Sequence, residues 1–186
     1  MTREQLAHLL RAASRIAGDP EVLVIGSQAI LGTFSEEQLP DEAWVSIEAD
    51  LAFLDDSDGH KALLVDGAIG ELSSFHELNS YYSQGVDVSV AVLPVGWRDR
   101  LVPFRPRAAL PAQAWCLDPH DLAVSKLAAA RHKDIVFAQA LLKAELLNRE
   151  TLQIRANQLP EENARQRRWI LDWLGGRDSD PKLTQN

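Results

Sequence analysis

The stretch VLVIGSQAILGTF, residues 22–34, joins a predicted strand to a short helical segment through Gly26 and Ser27. It opens with a short, continuously apolar run, which is typical of a buried central strand. After Gly26 and Ser27 it continues as a short helical segment that Gly32 ends. Two interpretations of the Gly-Ser junction are open. It is either a tight turn with a capping serine, or a phosphate seat at a helix N-terminus, where unpaired N–H groups favour anions.

Composition limits the classes of protein to consider. The 186-residue chain has a formal net charge of −8, and 46% of its residues are hydrophobic, enough to bury a core. With Cys116 as its single cysteine, the chain can form no internal disulfide, which fits a reducing compartment. The acidic balance argues against a protein that coats nucleic acid. The charged first helix and the lack of a long apolar run predict a cytoplasmic protein with no membrane partner.

The order of predicted elements indicates an α/β (α+β) fold, a mixed sheet flanked by helices. A capping box at Thr2 and Gln5 opens a first helix that ends at Gly18. From Asp118 and Pro119 onward the pattern is helical. Strands are predicted at residues 21–25, 46–55, 86–93 and 114–117. We therefore expect an α/β core over residues 1–117, a helical part over 118–176 and a disordered tail over 177–186.

Two carboxylates, Glu48 and Asp50, stand two positions apart in the second predicted strand. Residues i and i+2 of a strand point to the same face, so these side chains project side by side. The pair is either a solvated strand face or a seat for Mg²⁺, which binds one or two carboxylates together with phosphates. Asp87, in the predicted strand 86–93, is the candidate third carboxylate. It would help to hold a second metal or activate an attacking hydroxyl.

A phosphate seat after one strand and a carboxylate pair on the next is a layout that suits nucleotide chemistry. GSQAILG followed by SIEADLAF resembles the Gly-Ser … [Asp/Glu]-x-Asp signature of the nucleotidyltransferase-fold (polymerase-beta-like) superfamily. The later segment DLAVSKLAAARHKD, residues 121–134, is similar to a helical motif of the AbiEii and MenT toxin branch. The resemblance spans roughly residues 1–140.

The resemblance implies a site and a reaction. The nucleotide contacts would come from Gly26, Ser27, Lys126 and Asp134, and the Mg²⁺ ligands would be Glu48 and Asp50. Lys126 and Asp134 are a little over two helical turns apart, so they would share a face. The reaction would transfer a nucleoside monophosphate from an NTP to a hydroxyl of an RNA end (a tRNA end, for example), a protein or a small molecule. A toxin–antitoxin or phage-defence role would imply an antitoxin partner or a homodimer.

A second hypothesis keeps the fold without the catalysis. The first acidic position is Glu48, where the superfamily signature usually has Asp, and Asp87 is a third carboxylate only if it points toward the pair. A degenerate nucleotidyltransferase fold would then serve as a nucleotide- or protein-binding module. The position of Asp87 relative to Glu48 and Asp50 distinguishes the two hypotheses.

Overall fold

The structure is a computed structural model that describes residues 1–176. The tail predicted to be disordered, residues 177–186, lies outside the described residues. The predicted α+β architecture is confirmed, with a five-stranded mixed sheet and a helical C-terminal part. The helices are α1 (Arg3–Ala17), α2 (Asp41–Trp44), α3 (His60–Ile69), α4 (Ser74–Asn79), α5 (Pro119–Ala129), α6 (His132–Lys143), α7 (Arg149–Asn157) and α8 (Ala164–Leu174). The strands are β1 (Leu23–Val24), β2 (Glu48–Ala52), β3 (Tyr82–Gly85), β4 (Val102–Phe104) and β5 (Ala114–Cys116).

The sheet has the order β3-β2-β1-β5-β4. The central strand β1 runs antiparallel to β2 and parallel to β5, while β2 and β3 are parallel to each other. Along β2, Ala49 and Leu51 are fully buried, whereas Glu48 and Asp50 are only partly buried. The common face predicted for Glu48 and Asp50 is therefore present, although Ala52, on the same face, is fully buried.

The first helix begins and ends as the sequence predicts. The Thr2 hydroxyl accepts from the Gln5 backbone N–H at 3.2 Å, and the Gln5 side chain accepts from the Thr2 N–H at 2.8 Å. Gly18 ends α1 in the left-handed conformation, with φ at 65°. The capping box and the C-terminal glycine together fix both ends of a helix whose apolar face packs into the core.

The predicted strand over residues 86–93 is wrong. The strand lies earlier, at Tyr82–Gly85, and Val88–Val90 form a 3₁₀ turn. Asp87 caps that turn, because its carboxylate accepts the Ser89 backbone N–H at 2.7 Å. This local side-chain bond competes with an extended strand. Strand β4 was not predicted; it contains Pro103, which an edge strand tolerates because its N–H side need not pair.

The helical part starts as expected and then breaks. Asp118 caps α5, since its carboxylate accepts the His120 N–H at 2.9 Å. The first helix of this part ends at Ala130, which adopts φ of 52°, and α6 starts two residues later. Lys126 and Asp134 therefore lie on two helices and not, as was expected, on one shared helical face. The ion pair between Arg100 and the fully buried Asp121, at 2.8 Å, ties this part to the segment before β4. The division at residue 117 stays a prediction.

No helix within residues 1–176 is long and apolar enough to cross a membrane. The cytoplasmic location stays a prediction.

A substitution at Gly85 tests how closely β3 packs against α3. A Cβ at Gly85 would lie 1.9 Å from the Ala62 carbonyl oxygen, which is backbone and cannot swing away. We expect Gly85→Ala to lower the free energy of unfolding by about 2–3 kcal/mol, measured by urea denaturation. The matched control is Gly67→Ala in α3, where an added Cβ meets nothing within 4 Å. It should raise that free energy by about 0.5–1 kcal/mol. Equal effects of the two substitutions would contradict this packing.

Candidate functional site

A cleft of about 140 Å³ brings together side chains from the sheet and from the helical part. We call it the polar cleft, and its lining residues are Ser27, Ser46, Glu48, Asp50, Gln84, Lys126, Arg131 and Lys133. Four of the predicted site residues, Ser27, Glu48, Asp50 and Lys126, therefore face one space. Each of the eight side chains is polar, and the cleft combines two carboxylates with three cations. This combination suits a ligand that contains both phosphate groups and a metal ion.

Gly26 lets the carboxylate of Asp50 lie against the turn that follows β1. A Cβ at this position would be 1.6 Å from the Asp50 Oδ2 atom. The neighbouring Ile25 N–H donates to the Asp50 carbonyl at 3.1 Å, so the backbones are already in contact. The φ of −84° at Gly26 is open to any residue, and the requirement for glycine is therefore steric. Gly26 was expected to contact a nucleotide, whereas in the structure the Asp50 carboxylate lies against it.

The carboxyl groups of Glu48 and Asp50 lie close enough for each to affect the ionisation of the other. Burial raises the pKa of Asp50 to about 6, and the charge of Glu48 and a hydrogen bond with it add to the rise. Lys126 and Lys133 act in the opposite direction, because they favour the carboxylate. Tyr82 donates its hydroxyl to Glu48 Oε2 at 3.0 Å. Burial and this hydrogen bond raise the pKa of Tyr82 to about 12, so Tyr82 stays a donor at physiological pH.

Asp134 has a different place from the one predicted. Its side chain is fully buried, and it accepts hydrogen bonds from Lys126 Nζ at 2.9 Å and from Arg131 Nε at 2.5 Å. Burial opposes ionisation, but the bonds from Arg131 and Lys126 lower the pKa of Asp134 below its usual value. The carboxylate is thus a positioning group that holds two cations beside the cleft, and it is not exposed to a nucleotide. The break at Ala130 makes this possible, because α6 turns back toward α5.

Asp87 lies outside the residues that line the polar cleft. Its carboxylate is exposed and is engaged in capping Ser89, which lowers its pKa. The prediction of Asp87 as a third carboxylate beside the pair is therefore not met by this geometry. Gln84 occupies the neighbouring place instead, since it is paired in register with Asp50 across β2 and β3. Gln84 was not among the predicted site residues, because the segment HELNSYYSQG, residues 76–85, has no clear hydrophobic period and the strand was expected at residues 86–93.

The donor set of the polar cleft fits a magnesium ion with few protein ligands. Within residues 1–176, no group of three or more His, Cys, Asp or Glu side chains is placed to hold a metal. In the same part of the chain, neither Glu48 nor Asp50 is in an ion pair with a lysine or an arginine. Two crowded carboxylates with oxygens free of cationic partners suit Mg²⁺, which keeps waters and takes its other ligands from phosphates.

Comparison with known proteins shows which family the chain belongs to. A family model described as a nucleotidyltransferase of unknown function matches residues 4–172, almost the whole chain. The chain belongs to this nucleotidyltransferase family, DUF6036. No curated protein and no solved structure matched it. Membership in DUF6036 confirms the predicted nucleotidyltransferase superfamily, whereas the AbiEii and MenT toxin branch stays a prediction.

The raised pKa of Asp50 predicts that the stability of the protein changes with pH. Because the pKa of Asp50 is raised on folding, the folded state binds its proton more tightly, and stability falls as pH rises from about 4 through 6. We expect Asp50→Asn to raise the free energy of unfolding at pH 8 by roughly 1–3 kcal/mol, since each pKa unit is worth about 1.4 kcal/mol.

Urea denaturation at pH 8 and at pH 4 measures this change. The gain should largely vanish at pH 4, where the wild-type carboxyl is protonated. Asp87→Asn is the matched control, because the pKa of the exposed Asp87 carboxylate is lowered in the folded protein and not raised. An Asp50→Asn variant that is less stable than the wild type at pH 8 would contradict the crowding of the pair.

Proposed function

We propose that this DUF6036 member is a Mg²⁺-dependent nucleotidyltransferase. It would transfer a nucleoside monophosphate from an NTP to a hydroxyl of an RNA end, such as a tRNA end, of a protein or of a small molecule. The observation that supports this most is the polar cleft, where Glu48 and Asp50 face Ser27 and Lys126. Family membership supports the reaction class.

The proposed reaction is an attack on the α-phosphorus. The acceptor oxygen forms a bond to this phosphorus, the bond to the oxygen that bridges the α- and β-phosphates breaks, and pyrophosphate leaves with the electron pair. The acceptor proton would pass to solvent water, because bound Mg²⁺ would keep both Glu48 and Asp50 as unprotonated ligands. Mg²⁺, held by Glu48 and Asp50, would supply positive charge to the phosphate oxygens.

The cations of the polar cleft would bind the phosphates. Lys126 is held by Asp134, lies 5.0 Å from the centre of the Phe137 ring, and keeps only 11% of its side chain exposed. This fixed position lets it neutralise phosphate charge with little loss of side-chain freedom. Arg131 is 58% exposed and Lys133 also faces the cleft, so both can meet the leaving pyrophosphate. The Ser27 hydroxyl, which also lines the cleft, adds a donor.

A second candidate function is a nucleotide- or protein-binding module without catalysis. The observation that favours it is Gln84, which stands beside Asp50 where a third carboxylate would complete the acidic group. An amide neither takes a proton nor adds negative charge for a second metal. Binding without turnover distinguishes this module from the enzyme. The toxin–antitoxin or phage-defence setting, with an antitoxin or a second copy as partner, rests on the sequence resemblance alone.

Nucleotide binding gives the first test. We expect NTPs to raise the unfolding temperature in the presence of Mg²⁺, because a ligand at 100 times its Kd stabilises the folded state by about 2.7 kcal/mol. Lys126→Ala should weaken NTP binding about tenfold or more, through the loss of a cation and of its contacts with Asp134. Asp50→Asn should abolish the dependence on Mg²⁺.

Asp87→Asn is the control for this experiment, since asparagine can still cap Ser89. It should bind NTP and Mg²⁺ like the wild type. The proposal would be contradicted if no NTP changed the unfolding temperature, or if Asp87→Asn lost Mg²⁺ dependence as fully as Asp50→Asn.

A further inference from the structure

A second cavity, of about 300 Å³, adjoins the polar cleft. We call it the uncharged lobe. Its apolar walls are Ile25, Val86, Val90, Ala91, Leu122 and Ala129, and its uncharged polar side chains are Gln84 and Ser125. Asp50, Lys126 and Arg131 also line it, and they line the polar cleft as well. The two spaces therefore meet at these three charged residues and at Gln84.

The continuity of the two spaces indicates a ligand with two chemically different ends. Phosphates are suited to the polar cleft, where three cations lie. They are not suited to the far walls of the lobe, which are aliphatic. A nucleoside attached to those phosphates has the required character, because a base has apolar faces and a polar edge. Aliphatic walls with a few placed polar groups are typical of small-molecule pockets.

The walls of the lobe are held from two sides. Leu122 and Ala129 belong to α5, a helix capped by Asp118. Val86 precedes the 3₁₀ turn over Val88–Val90, Val90 is the last residue of that turn, and Ala91 follows it. The exposed position of Val90, with 66% of its surface accessible, leaves the lobe open to a ligand from solvent.

Gln84 stands where the lobe and the polar cleft meet. It is exposed, and its register with Asp50 places it on the same face of the sheet. Its amide offers both a donor and an acceptor, which is the pair of groups needed to recognise the edge of a base. A carboxylate at this position would offer acceptors only.

We infer that the uncharged lobe binds the base and sugar of the donor nucleotide, and that Gln84 determines which base is preferred. This inference rests on the proposed function and adds to it a nucleoside subsite and a specificity-determining residue. The base lies between the aliphatic walls from α5 and from the turn after β3. Its edge contacts the Gln84 amide, while the phosphates extend past Asp50 toward Lys126.

Equilibrium binding of NTPs and of inorganic tripolyphosphate, each with Mg²⁺, tests the inference by calorimetry. Wild-type protein should bind its preferred NTP at least about tenfold more tightly than tripolyphosphate. It should also prefer that NTP about fivefold or more over the weakest of the four, since the net contribution of a hydrogen bond corresponds to a factor of this size. Gln84→Ala should reduce the preference among bases to less than about twofold.

Ala129→Trp blocks the lobe from an exposed position at the end of α5. It should bring NTP affinity down to that of tripolyphosphate, whose retained binding shows that the variant is folded. The matched control is Ala68→Trp, at an exposed position of α3 that does not line the lobe. It should bind every ligand like the wild type.

The outcomes separate this inference from the proposed function. If wild-type protein bound tripolyphosphate as tightly as every NTP, or if Ala129→Trp kept full NTP affinity, the lobe would not be the nucleoside subsite, and the phosphate site would stand. If neither tripolyphosphate nor any NTP bound with Mg²⁺, the proposed function would fail, and the inference with it.

Discussion

The contact between Asp50 and Gly26 is the constraint on which the site depends. A Cβ on Gly26 would lie 1.6 Å from Asp50 Oδ2, so the Asp50 carboxylate occupies the space that this Cβ would need. This contact follows from the antiparallel pairing of β1 and β2, in which Leu23 lies opposite Ala52 and Val24 opposite Leu51. Any larger residue at position 26 would displace the carboxylate or separate the strands. The same packing buries Asp50 beside Glu48 and raises its pKa, so fold and electrostatics have one cause.

Cations from the helical part of the chain offset the negative charge of Glu48 and Asp50. The protein is acidic overall, with a net charge of −8, yet three cations face the polar cleft. The buried Asp134 holds two of these cations and is itself kept ionised by them. Lys126 and Arg131 therefore stay near the carboxylates without forming ion pairs with them. This arrangement leaves both the anionic and the cationic groups available to a ligand that has a metal and phosphates.

Short-range patterns predicted much of the site, and tertiary geometry decided the rest. The i, i+2 spacing of Glu48 and Asp50 was sufficient to predict their common face, because strand geometry has a fixed period. The capping bond that removes Asp87 from a strand depends on one local hydrogen bond, which competes with strong valine patterning. The break at Ala130 has no sequence signal, since alanine favours helix, and it is what buries Asp134. Gln84 became visible only through its register with Asp50.

The most direct test of a nucleotidyltransferase site follows the phosphate that is transferred. Wild-type protein would be incubated with Mg²⁺, total RNA and an NTP labelled at either the α- or the γ-phosphate, and label in RNA and released pyrophosphate would be measured. We expect transfer of the α-label only, with pyrophosphate release, and loss of transfer in Asp50→Asn but not in Asp87→Asn. Transfer of the γ-label would contradict a nucleotidyltransferase site. So would Mg²⁺-dependent NTP binding that yields neither transfer nor pyrophosphate with RNA, protein or small-molecule acceptors.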